Sequence, residues 1–142
     1  SQNTSTSEPA GLEISGSPTV LLRNSIVALN VAAIGPRDIS GTVDPSSSFN
    51  LIGTGGSGGL SNGVNGNQVG VNPLLGPLAL NGGGTAPTHA LLPGSPAINA
   101  GTNVGAPTVD QRGIARPQQG TVDIGAFESQ GFALALGAGN NQ

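Results

Sequence analysis

Residues 20–30 read VLLRNSIVALN, and within them Val20, Leu22, Asn24, Ile26 and Ala28 recur at every second position. Period-two alternation puts these five side chains on one face of an extended run, because successive Cβ atoms of a strand point to opposite sides. Gly16, Ser17 and Pro18 mark a turn ahead of the run, and Asn30 closes it. An asparagine among inward-facing apolar residues has a specific use. Where strands stack, its amide can bond the backbone of its own layer and of the next, satisfying groups that burial would leave unpaired. Asn24 and Asn30 are the candidates for such a ladder, although a strand whose Asn24 faces solvent fits the periodicity equally well.

On the N-terminal side, residues 1–11 are rich in Ser and Thr and carry no structure signal, so a flexible segment is expected before Leu12 and Ile14 begin to alternate. On the C-terminal side, DISGTV (38–43) and FNLIG (49–53) read as two further short strands, joined through Asp44, Pro45 and the serines after them. The steps from Leu22 to Ile39 to Leu51 are unequal. Coils of uneven length are therefore expected over residues 12–71, with roughly 20 to 30 residues each. The tract GTGGSGGLSNGVNGNQVG (53–70) offers only Leu60, Val64 and Val69 as sizeable apolar residues and reads as a loop or a weakly packed coil. From 71 to 128 regular prolines and Gly-containing pairs predict turns with short connecting strands. Phe132, Ala133, Leu134, Ala135 and Leu136 then alternate between two glycines as a single one-faced strand.

Composition supports thin layers over a bulky core. In 142 residues there are 25 Gly and 11 Pro, three Phe, and no Cys, Met, Trp or Tyr. That Gly and Pro content is about twice the usual share, which disfavours long helices. Regular Val, Ile and Leu positions and a net charge of −3 separate the chain from disordered sequences. Small aliphatic side chains in successive layers are how a solenoid packs, each coil burying its face against the next. Four arginines without a lysine, and almost no aromatic residue, exclude a phosphate-tracking or base-stacking surface, so nucleic acid is not an expected partner. Apolar runs are too short for a membrane-spanning helix, and residues 1–7 lack the parts of a signal peptide, so a mature or excised piece is expected. Lack of cysteine does not fix the compartment.

Motifs that suggest chemistry fail on context. Gly55-Gly56-Ser57-Gly58-Gly59 satisfies G-x-S-x-G, but a nucleophile elbow needs a helix after it and an ordered Asp and His, and His89 is the single histidine. His89 reads as a turn residue. The same glycines fit a dinucleotide fingerprint only as any glycine-rich tract would. No acidic residue lies between Asp44 and Asp110, so the tract is no calcium repeat, and a weak composite Ca²⁺ site from scattered acids is the one metal reading left open. Asp110, Arg112, Arg116 and Asp123 read as turn-pinning residues, with guanidinium groups bonding carboxylates and carbonyls. No catalytic residue, cofactor or firm metal ligand is expected. Without lysine, Lys-derived isopeptide cross-links cannot form.

NPLLGPLALNGGGTAPTHALLPGSPAINAG (72–101), DQRGIARP (110–117) and DIGAFE (123–128) together resemble the C-terminal signature of the choice-of-anchor Q family, and LLRNSIVALN, DISGTV and FNLIG resemble its final coils. The resemblance covers about residues 18–128. It implies an exported bacterial surface protein, extracellular or at the cell surface, and an all-β fold. That fold is a short right-handed parallel β-helix (12–71), a turn-rich capping segment (72–128) and a trailing strand (129–142). The tail resembles the first strand of an Ig-like repeat, or a strand donated to a neighbour's sheet edge. The expected role is structural: a stalk, adhesin segment or filament subunit that self-associates or joins neighbouring domains, without membrane insertion. A carbohydrate-binding adhesin module is the alternative, weakened by the absence of Trp and Tyr, and a polysaccharide lyase lacks a convergent catalytic set.

Overall fold

With a quarter of the chain Gly or Pro, no strand can run far before a turn interrupts it. The computed structural model describes residues 4, 6, 11–16, 19–82 and 85–132. Its regular elements there are β-strands, with no α-helix and one 3₁₀ turn at Val64–Gly66. The strands are β1 (Leu12–Glu13), β2 (Ile26–Val27), β3 (Val31–Ala32), β4 (Gly35–Pro36), β5 (Ile39–Ser40), β6 (Leu51–Ile52), β7 (Gln68–Val69), β8 (Leu75–Ala79) and β9 (Thr88–Leu91). The protein is thus all-β, with short sheets of mixed sense.

Residues 11–71 make three passes in parallel register. β1 pairs with β5, which a bridge from Ile39 to Ser57 extends. β2 pairs with β6, and β6 with β7, so that Ile26, Leu51 and Gln68 lie side by side. The step between equivalent residues is 25 and then 17. Thr4 also pairs in parallel with Val31, and the Gly11 N–H donates to the Arg37 carbonyl. The segment expected to be structureless thus already contributes to the stack at these two residues. β3 and β4 form a small antiparallel hairpin between the first two passes.

The expected single face of residues 20–30 is corrected by the backbone. Asn24 has φ +48°, a left-handed conformation that reverses the phase of alternation. Leu22 therefore packs with Val27, Ile39, Val43, Ile52 and Leu60 in one core, whereas Ile26 and Ala28 join Leu51 in another. Leu51 and Ile52, adjacent on β6, are both 0% exposed because each faces a different core. Burying each contributes about 1.5–3 kcal/mol.

The glycine tract is also tighter than expected. A Cβ on Gly55 would lie 2.4 Å from the Asp38 nitrogen, and one on Gly56 2.4 Å from the Ile39 carbonyl oxygen. Glycine lets the third pass close directly onto the second, with the Asp38 N–H donating to the Gly55 carbonyl at 2.6 Å. This shortcut accounts for the 17-residue step.

Residues 72–132 lie along the side of the stack, not simply over one end of it. Their contacts reach all three passes. Asn24 exchanges two 2.8 Å hydrogen bonds with the Thr102 backbone, Leu51 packs with Leu91, Ala97 and Ile124, and Gln68 Nε2 donates to the Pro96 carbonyl. The outer apolar face of the β2–β6–β7 sheet requires such a cover, which the hairpin β8–β9 and the turns after it supply.

Candidate functional site

Two buried asparagines hold the passes together. The Asn50 N–H and Nδ2 both donate to Asn67 Oδ1, at 3.1 and 3.0 Å, and the Ser25 N–H donates to Asn50 Oδ1 at 3.0 Å. Asn50 Nδ2 donates further to the Leu22 carbonyl, and Asn67 Nδ2 to the Ser47 carbonyl. Each amide thus receives the N–H of the neighbouring pass at equivalent positions. The two asparagines expected for a ladder make different contacts among the described residues. Asn24 ties the first pass to Thr102, and Asn30 bonds Asp38 Oδ1 through its N–H and Nδ2 at the base of the β3–β4 hairpin. Asp38 Oδ2 accepts the Gly55 N–H from the next pass. The sequence signal overlooked is an asparagine directly before each short strand, as in Asn50-Leu51-Ile52 and Asn67-Gln68-Val69.

Asp110, Arg112, Arg116 and Asp123 converge in the flanking segment, together with Glu128, which the sequence offers only as one of the scattered acids of a weak composite Ca²⁺ site. Arg112 grips Asp110 Oδ2 through Nε and Nη2 at 2.9 and 2.7 Å, donates to the Asn81 and Glu128 carbonyls, and stacks 3.6 Å from the Phe127 ring centroid. Such a planar two-pronged pair fixes geometry as well as charge. Arg116 Nε lies 3.2 Å from Glu128 Oε2, while its Nη2 donates to the Gly125 carbonyl. The Nε contact is an ion pair without hydrogen-bond geometry. Glu128 accepts the N–H groups of Gln118 and Asp123, and Asp123 those of Asn99 and Ser129.

Asp110 accepts further from the backbone of Arg112, Ile114 and Glu128. Burial pushes its pKa up, but the hydrogen bonds from Glu128 N–H, the Arg112 side chain, Ile114 N–H and Arg112 N–H outweigh it and hold the carboxyl below its ordinary value. The carboxylates are occupied by donors, which makes the network a fastening. Among the described residues no three His, Asp or Glu side chains gather as a metal cluster.

Beside this network opens a cleft of about 770 Å³, walled by β8–β9, residues 105–111 and the first pass at 23–26. Ile26, Leu75, Leu78, Leu91, Ile124 and Phe127 make it mainly apolar, with Arg23 and His89 among its polar groups. His89 Nδ1 is 2.8 Å from the Gly76 carbonyl oxygen, which can only accept, so Nδ1 is the donor of this hydrogen bond. Ser57 of the G-x-S-x-G match lies instead in the bridge to Ile39. Of the trailing strand, Phe132 is half exposed beside Leu91, Leu92 and Phe127, and residues 133–136 lie outside those described. Comparison of the chain with protein-family models, with curated proteins and with solved structures finds no match.

Proposed function

We propose that the chain is a non-catalytic structural piece of an extracellular bacterial surface protein. In this reading residues 12–71 are terminal coils of a right-handed parallel β-helix of the choice-of-anchor Q kind, and residues 72–128 seal its flank. The observation that carries the reading is the parallel register of Ile26, Leu51 and Gln68, held by the Asn50–Asn67 ladder. Side-by-side stacking of this kind supports a solenoid, in which each coil contacts only its neighbours.

Among the described residues β2 and β7 are the outer strands of their sheet, each paired on one side. Such edges join a further coil or another chain, and the role that follows is a stalk, adhesin segment or filament subunit. A tail beginning at Phe132 suits donation to such an edge. A sugar platform has less support, because the chain has no Trp or Tyr and the Arg112 guanidinium occupies one face of the Phe127 ring.

Light scattering with negative-stain microscopy tests the assembly role. Multimers or fibres with a regular axial repeat are expected, reduced when residues 131–142 are deleted. A monomer unaffected by the deletion contradicts self-assembly.

A further inference from the structure

The flanking cleft has properties that neither the stack nor its edges need. Its volume, about 770 Å³, lies within the range of small-molecule sites, and such sites combine an apolar lining with a few placed polar groups. Two of its charged residues are already neutralised in place: Asp110 by Arg112, and Arg116 by Glu128. Arg23 is different. Its guanidinium has no hydrogen-bond or ion-pair partner among the described residues, and its Nη1 lies against the 104–106 turn, 3.5 Å from where a Cβ on Gly105 would stand. Arg23 is exposed, so its guanidinium stands hydrated at the rim of the apolar cleft, where it is available to an anion.

We propose that the cleft binds an aliphatic carboxylate, its acid group on the Arg23 guanidinium and its chain over Ile26, Leu75, Leu78 and Leu91. A guanidinium presents paired donors that match a carboxylate. The apolar lining is mainly branched aliphatic, and its single phenyl ring, Phe127, is stacked on Arg112, so a hydrocarbon chain fits the surface better than a polar ring does. Each buried methylene strengthens binding roughly fourfold. The site shares Ile26 with the β2 edge invoked for assembly, but it uses the side chain where edge pairing uses backbone groups, so ligand binding and multimer formation are read separately and either can fail without the other.

Amide chemical-shift titration of the full chain with octanoate tests the site, with octan-1-ol and octylammonium as controls of equal length. Saturable shifts are expected around Arg23, Leu78, His89 and Ile124, stronger for octanoate than for hexanoate and absent for octylammonium. R23Q should weaken octanoate about tenfold while leaving the spectrum away from the cleft unchanged, since the guanidinium makes no hydrogen bond or ion pair among the described residues and rests only against the turn at Gly105, itself part of the cleft wall. L78D, at a position 61% exposed, should weaken it by at least as much through repulsion and lost apolar wall. Absence of saturable shifts overturns the site, as does equal affinity of R23Q, or octylammonium binding as tightly as octanoate.

Discussion

The stack and its flank solve the same problem by different chemistry. Both lack long strands, so both must find partners for backbone groups that no extended ladder takes up. In residues 11–71 the partners are carbonyls of the next pass and the amide oxygens of Asn50 and Asn67, with Asp38 serving the hairpin base. In residues 72–132 three carboxylates, Asp110, Asp123 and Glu128, accept the N–H groups of Asn99, Arg112, Ile114, Gln118, Asp123, Glu128 and Ser129. Repetition lets neutral amides suffice, because each pass offers the same positions to the next. Irregular turns have no such neighbour and need acceptors of high capacity, which then require arginines to balance them. The lesson is that an irregular cover leans on charges, whereas the stacked passes rely mainly on amides, with Asp38 as the one carboxylate at the hairpin base.

Substitutions that remove one kind of fastening should break this contrast unevenly. Glu128→Ala leaves Arg116 buried without its counter-ion and two N–H groups unpaired, and should destabilise by about 3–5 kcal/mol. Hydrogen exchange should show residues 110–129 losing protection before residues 48–52. Simultaneous loss would mean that stack and flank unfold as one unit.

Asn67→Ala removes the acceptor of the Asn50 N–H and Nδ2 and should cost about 1–3 kcal/mol in denaturant unfolding, with the loss centred on β6 and β7. Ile52→Val trims the inner core alone and should cost about 0.5–1.5 kcal/mol. The smallest effect is expected from acid. Because the folded pKa of Asp110 is depressed, its contribution is complete above the ordinary Asp value of about 4 and disappears as pH falls through the lower folded value. Amides of Arg112, Ile114 and Glu128 should therefore lose protection at acid pH ahead of those held by the Asn50–Asn67 ladder, which does not titrate.

Much of this contrast was legible in the sequence. Alternation placed strands near Leu12, Ile26, Ile39 and Leu51, and Asp110, Arg112, Arg116 and Asp123 were read as holding turns. What the alternation could not carry was the reversal of phase at Asn24, since one left-handed residue leaves the apolar pattern looking continuous while sending Leu22 and Ile26 into different cores. Nor does a glycine count distinguish a loose loop from a tight approach. Gly55 and Gly56 are small because Asp38 and Ile39 lie against them, a fact of tertiary contact. The ladder was expected at Asn24 and Asn30 because these sit in the strongest apolar run, yet it forms where asparagine recurs at the stacking step. The cleft had no sequence signal, because Arg23, Leu78 and His89 come from separate segments.

The parallel stacking of β2, β6 and β7 underlies all of this, and a nuclear Overhauser experiment on labelled protein tests it most directly. Neighbouring strands lie about 4.8 Å apart, so contacts between backbone protons of Ile26 and Leu51, and of Leu51 and Gln68, should be seen in the parallel pattern, one register throughout. Contacts in an antiparallel pattern, or none linking these three residues, would contradict the account.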